Sequence, residues 1–367
     1  MCCAVREHHY SPLPDGYIRL LRLMPHGDRD APIQFNLLDC PLPDSSQDTS
    51  LYDALSYVWG SPEKTRFVYT DECRLAVTVQ LHTALSYLRD RLVERIIWID
   101  AICINQEDND EKGRQVQPMA KIYARASRVI VWLGEEADGS NEALREILNV
   151  ANQLHTNSAI VKTNHQAIPP LPDQRPTTDQ RAVFRLLERP WFQRIWVVLQ
   201  EVAAARHVLI KCGTMEIDGY AFCSGISALK PYESFPELQS LIRSAVYLIM
   251  GAIFRPRCEI SQSDRFSLNV RPLSELVDMY HTRKATKLLD KVYALLGMSS
   301  GDRDPYKAGF WPNYNASWKD VFQRLVKFSL SDKMSVSTWN RQELKAIQGN
   351  IVIKLILNWN SMVVTLG

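Results

Sequence analysis

The sequence predicts an α/β fold, a mostly parallel sheet flanked by helices in a three-layer core, with a helical C-terminal extension. Two observations predict it. Short apolar runs rich in Val, Ile and aromatic residues recur between residues 52 and 213, as buried strands do. Stretches with apolar residues at helical spacing lie between them, and that alternation is the signature of βα units. Beyond about residue 215 the strand signals thin out while helical spacing continues. The expected organisation is an opening strand and loop over residues 1–50, a core over 51–215 and a mostly helical part over 216–367.

The opening strand is YIRLLRLM, and the polar run DSSQDTS after it reads as a loop. The expected core strands are YDALSYVW, RFVYT with LAVTV, RIIWIDAICI, RVIVWLG and HVLIKCG. Leu81, Ala84, Leu85, Leu88 and Leu92 share one face of a helix over 80–92, and Val116, Met119, Ile122, Tyr123 and Ala126 share one over 114–126. Pro118 falls inside the second, where its missing N–H and ring clash with a helix interior, so a late start or a kink is expected. Further helices are expected near 141–155, 178–188, 191–204, 272–284, 290–297 and 317–330, with TNHQAIPPLPDQRPTTDQ as an exposed loop.

Composition removes several function classes. Lys plus Arg total 43 against 41 for Asp plus Glu, too even a balance to predict nucleic acid as a partner. The apolar run SAVYLIMGAIF is far shorter than the ~20 residues that cross a bilayer, so no membrane span is expected. Eight cysteines without a CxxC pair suit reduced thiols in a cytosolic or nuclear compartment, and no metal site is expected. Cys2 and Cys3 read as surface thiols or, alternatively, as acylation sites. No glycine-rich phosphate loop occurs, so ATP and redox use of NAD have no support.

Four blocks occur in order: YDALSYVWG (52–60), IIWIDAICINQED (96–108), EKGRQVQPMAKIYARASRVIVWLG (111–134) and RPWFQRIWVVLQEVAAAR (189–206). Together they resemble the fungal heterokaryon-incompatibility (HET) domain, and LLDKVYALLGMSS with WPNYNASWKDVF resembles the region that often follows it. The resemblance implies a cytoplasmic effector of fungal non-self recognition that promotes cell death through protein partners or self-association. A remoter likeness to TIR domains, carried by YDALSY and by Trp196 with a downstream glutamate, implies a doubly wound core and NAD as a substrate to be cleaved. The chain departs from the family pattern where Leu199 places Glu201 five positions after Trp196 instead of four. One added residue turns a helix by about 100°, so either a π-bulge absorbs it or the glutamate is displaced. An inactive, truncated family member is the third reading, fitted by Leu199, Pro118 and the uncapped tail VIKLILNWNSMVVTLG.

Cleavage of a C–N glycosidic bond needs a carboxylate near the ribose to stabilise an oxocarbenium-like transition state. Glu201 is the first candidate; the structural alternative is a helix glutamate paired with Arg194 or Arg206. Asp100 is the second, because a carboxylate within an apolar strand is costly unless hydrogen-bonded or functional. Its structural alternative is a satisfied network with Arg128 or a backbone N–H. Trp59 is a candidate wall for a base at a strand's carboxyl end, or a tryptophan closing a turn. Ser56 and Tyr57 point to opposite faces, so at most one of them meets a ligand there. Asn105, Gln106 and Glu107 either cap the next helix or contact a ligand. Arg194 meets a phosphate or pairs with an acid, and Trp196 completes the expected ligand-binding set.

Overall fold

In a computed structural model the chain is described at residues 6–42, 52–163, 180–194, 204–229, 246, 267–281, 283–300 and 305–330. It falls into two compact units, Met1–Gln106 with Lys121–Pro256, and Glu107–Ala120 with Arg257–Gly367.

Among the described residues, two sheets lie in the first unit. The larger has seven strands in the order β10-β9-β8-β4-β7-β2-β3. Its centre is β4 (Asp53–Tyr57), β7 (Arg95–Trp98), β8 (Arg128–Trp132) and β9 (Val208–Cys212). β4 runs parallel to β7 and β8, and β8 runs parallel to β9. β4 is buried along its whole length, as a strand covered on both faces must be. Helices supply that cover. Opposite pairing puts Leu55, Ile130, Tyr57 and Trp132 on one face, where Trp132 meets Tyr87 of α1 (Val79–Leu88) with ring centroids 5.0 Å apart. Ala54, Trp98 and Val129 share the other face, where Trp98 meets Tyr123 of α4 (Met119–Arg125) edge-on at 5.4 Å.

The sheet is mixed, which corrects the expectation of a mostly parallel one. β2 (Tyr17–Leu23) and β3 (Phe35–Pro41) form a hairpin that joins β7 antiparallel. At the opposite edge β10 (Met215–Asp218) folds back on β9. Gly213, with φ +55°, opens the two-residue turn between them, the conformation that tight hairpins draw from glycine. RFVYT and LAVTV form strands, but not in this sheet. They are β5 (Arg66–Tyr69) and β6 (Cys73–Val77), which join β1 (Arg6–Glu7) in a separate three-stranded sheet.

α1 buries Leu81, Ala84, Leu85 and Leu88 as the spacing predicts, but it stops at Leu88, and Leu92 stands in a turn at 87% exposure. The helix expected over 114–126 is interrupted at Pro118. α3 (Asn109–Val116) ends before it and α4 starts after it, and Val116, Met119, Ile122, Tyr123 and Ala126 are all buried. α2 is the four-residue helix Asp100–Cys103; α5 (Ser140–Thr163), α6 (Gln180–Leu187) and α7 (Gly219–Leu229) complete this unit's described helices.

The second unit holds α3, which starts five residues before the expected helix, and α8 (Leu273–Tyr280), α9 (Asp290–Leu296) and α10 (Trp318–Leu330), which lie close to expected helical segments. Asp108 caps α3 by accepting from the N–H groups of Asp110 and Glu111 at 2.9 and 3.0 Å. Those bonds, the one from Glu111 foremost, hold its carboxyl below the usual range. Buried Asp290 accepts from the Tyr314 hydroxyl at 2.9 Å, and the ammonium groups of Lys112 and Lys287 lie 4.7 and 5.1 Å from the Tyr314 ring centre. The tail VIKLILNWNSMVVTLG, the loop TNHQAIPPLPDQRPTTDQ apart from its two ends, and Cys2 and Cys3 lie outside the described residues.

Candidate functional site at the carboxyl ends of β4 and β7

β4 and β7 are parallel neighbours, with Asp53 opposite Ile97 and Ala54 opposite Trp98. The segments that follow them therefore leave the sheet side by side, at the edge where open α/β sheets bind ligands. Trp59 follows β4 and Asp100 follows β7. The Trp59 indole N–H donates to Asp100 Oδ2 at 2.9 Å, across 41 residues of sequence. Both residues are half-buried.

Asp100 does not sit within a strand, which corrects the sequence reading. The strand ends at Trp98, and Asp100 opens α2. Its other carboxylate oxygen accepts from the Ala101 N–H at 2.8 Å, an interaction suited to the start of a helix, where N–H groups are unpaired. Arg128, the other expected partner, lies at the far end of the sheet. There its guanidinium meets both oxygens of Asp53, at 3.0 and 3.2 Å, and Arg95 joins at 2.7 Å.

Gln106 donates its amide N–H to the Asp100 carbonyl at 2.8 Å. Its own oxygen, Oε1, is buried and has no hydrogen-bond partner among the described residues. Asn105, half-buried, stands next to it. The N-cap of the following helix is Asp108, so the capping role weighed for Asn105, Gln106 and Glu107 belongs to Asp108.

Arg194 donates to the Tyr57 carbonyl at the end of β4. Ser56 lies one layer below, fully buried, and its hydroxyl accepts from the Trp191 indole N–H at 2.9 Å. Pro190 starts the 3₁₀ turn Pro190–Gln193 that presents Trp191, and Arg189 beside it donates to the carbonyls of Leu133 and Glu135 at 2.8 and 3.0 Å. Gly60, after Trp59, has φ +70°, and a Cβ there would lie 2.6 Å from Gln80 Cγ. The chain thus leaves the Trp59 position through a conformation that side chains resist.

Trp196, Leu199 and Glu201 lie outside the described residues. Among the described residues no group of three or more His, Cys, Asp or Glu could hold a metal ion, and no helix is long and apolar enough to cross a membrane. Burial pushes the thiol of Cys103, three residues after Asp100, up to about 12. Sequence reasoning missed Trp191 as the donor to Ser56 and Asp53 as the partner of Arg128. Only strand register reveals the second, and nothing local signals the first.

An indole, an oriented carboxylate and a buried amide oxygen, with the Arg194 guanidinium on the last carbonyl of β4, stand at this sheet edge.

Residues 52–201 match the family described as Heterokaryon incompatibility protein (HET). The chain is also similar to "Heterokaryon incompatibility protein 6, OR allele" of Neurospora crassa, 27% identical over 349 residues. That alignment covers 83% of this chain and 50% of the relative, so the chain spans about half the length of the curated relative it matches. No solved structure matches the chain. The likeness to the HET family is thus carried by residues 52–201, the stretch that contains β4, β7, β8 and both members of the Trp59–Asp100 pair.

Proposed function

We propose that the chain acts in fungal heterokaryon incompatibility as a cytoplasmic effector of cell death, working through protein partners or self-association. The HET unit in this reading is residues 51–215, preceded by the segment 1–50 and followed by the mostly helical 216–367. The reading is supported by the match over residues 52–201 and by the similarity to the Neurospora crassa protein. The observation that carries it to a site is the Trp59–Asp100 hydrogen bond, which joins two of the family-like blocks at one sheet edge. The site comprises Trp59, Asp100, Asn105, Gln106 and Arg194, with Ser56 beneath it; Trp196 and Glu201 complete it in the same reading.

The test is expression of the full chain in hyphae, with cell death scored by vital-dye uptake. Trp59→Phe and Asp100→Asn, in protein that melts as the wild type does, are expected to abolish killing. Undiminished killing by both variants would remove the site from the account.

NAD cleavage at the same edge is the second reading, favoured by an aromatic wall next to an oriented carboxylate. Its acid would be Glu201, aided by Asp100. Nicotinamide release by self-associated protein, lost in Glu201→Ala, is the expected outcome of that reading; no release at any protein concentration would leave the interaction module.

A further inference from the structure

α2 is four residues long and has no side-chain cap at its start. The carbonyls of its last turn have no partner within so short a helix. Two of them are taken by the N-terminal part of the chain. The Tyr10 hydroxyl donates to the Ile102 carbonyl at 2.8 Å, and Arg19 donates to the Cys103 carbonyl at 3.3 Å. Arg19, only 3% exposed, also donates to the Ser11 carbonyl at 2.6 Å, and its guanidinium lies 5.0 Å from the Tyr10 ring centre. Tyr10 and Arg19 thus cap one end of α2, with Ser11 held by the same Arg19, while Asp100 stands at the other end, tied to Trp59 and Gln106. A single helical turn cannot loosen at one end and stay fixed at the other.

His8 anchors that segment. Its ring packs edge-on against Tyr10 with centroids 4.9 Å apart and lies 6.5 Å from Phe35. Its Nε2 is buried and has no hydrogen-bond partner among the described residues. The charged and titratable groups around it are Arg19 on β2, with Asp39 of β3 4.0 Å from that guanidinium, His9 beside it, and the Arg74–Glu7 pair on β6 and β1. An imidazolium would place a second positive charge near Arg19 and a new N–H donor where no acceptor stands.

We propose that residues His8–Ser11 form a pH-sensitive latch on α2. Neutral His8 holds Tyr10 and Ser11 in place, and protonation releases them and loosens the Asp100 end of the Trp59–Asp100 pair. The latch regulates the candidate site and so rests on the reading of that pair as the site. Burial first, then Arg19 and His9, hold the His8 imidazole below its usual range. The unfolded or released segment therefore binds the proton more readily than the docked one. Docking is strongest above the free-histidine value of about 6.5, weakens as pH falls below it, and stops weakening below the lowered docked value.

The test is hydrogen exchange by mass spectrometry on the full chain from about pH 7.5 to about pH 5, corrected for the intrinsic pH dependence of exchange, a window that brackets histidine titration. In the wild type, residues 6–13 and 99–106 are expected to gain exchange together as pH falls, by about fivefold, the order expected for losing one hydrogen bond. His8→Phe is expected to flatten that response. Tyr10→Phe, which deletes only the hydroxyl, is expected to raise exchange over 99–106 already at the high end. The latch is overturned if 6–13 shows no pH response, if 99–106 stays protected while 6–13 opens, if His8→Phe responds as the wild type does, or if Tyr10→Phe leaves 99–106 unchanged. None of these readouts requires activity. A silent Asp100→Asn in the hyphal assay would sink the site reading and leave the latch standing.

Discussion

The two ends of the central parallel strands hold their carboxylates in different ways. At the amino end Asp53 is clamped by two guanidinium groups, Arg95 at 2.7 Å and Arg128 at 3.0 and 3.2 Å. At the carboxyl end Asp100 is oriented by an indole N–H and a backbone N–H, donors that fix direction without carrying charge. The first arrangement is what a fold uses to lock strands in register. The second sets the direction of a carboxylate through neutral donors. Under the function proposed above, one sheet carries a structural end and a functional end, so substitutions at the first should cost stability and those at the second function.

Asp53→Ala should have the largest effect on folding, since it leaves the mostly buried Arg95 and the half-exposed Arg128 without their shared carboxylate. A loss of about 3 kcal/mol is expected by urea denaturation; a loss as small as that of a surface residue would erase the distinction between the ends. Next comes Trp191→Phe. It strips the donor from fully buried Ser56 and trims a core side chain, for a loss of about 2 kcal/mol. Gly60→Ala should follow at about 1 kcal/mol, because the added Cβ strains the positive φ and presses on the flexible Gln80 side chain. A thermal melt reads both, and a neutral Gly60→Ala would show that the turn after Trp59 rearranges at no cost.

How much of this was legible follows the same division. β4, β7, β8 and β9 were visible as runs of β-branched and aromatic residues because central parallel strands are buried on both faces. Of the antiparallel strands in the same sheet only β2 was, as YIRLLRLM; β3 and β10 were not. β10 is the polar MEID, marked only by Gly213 before it, and FNLLDCP of β3 carries no clean alternation. Apolar continuity also misled. IIWIDAICI reads as one strand, yet the chain turns at Asp100 into α2, whose Ile102 and Cys103 are buried for helical reasons. The proximity of Trp59 and Asp100 was within reach, since parallel neighbours end at the same edge. The Trp191–Ser56 bond spans 135 residues, and the Asp53–Arg128 pair depends on register, which no local pattern encodes.

The smallest stability change and the largest functional one should coincide at Asp100. Asp100→Asn removes the charge and keeps one of the two acceptor oxygens, for the Trp59 indole or the Ala101 N–H, so unfolding free energy should fall by no more than about 1 kcal/mol. The decisive measurement pairs its melting curve with hyphal cell death on expression of the full chain. A protein that melts like the wild type and no longer kills is the result expected here; one that melts alike and kills undiminished would contradict a functional carboxylate at this edge.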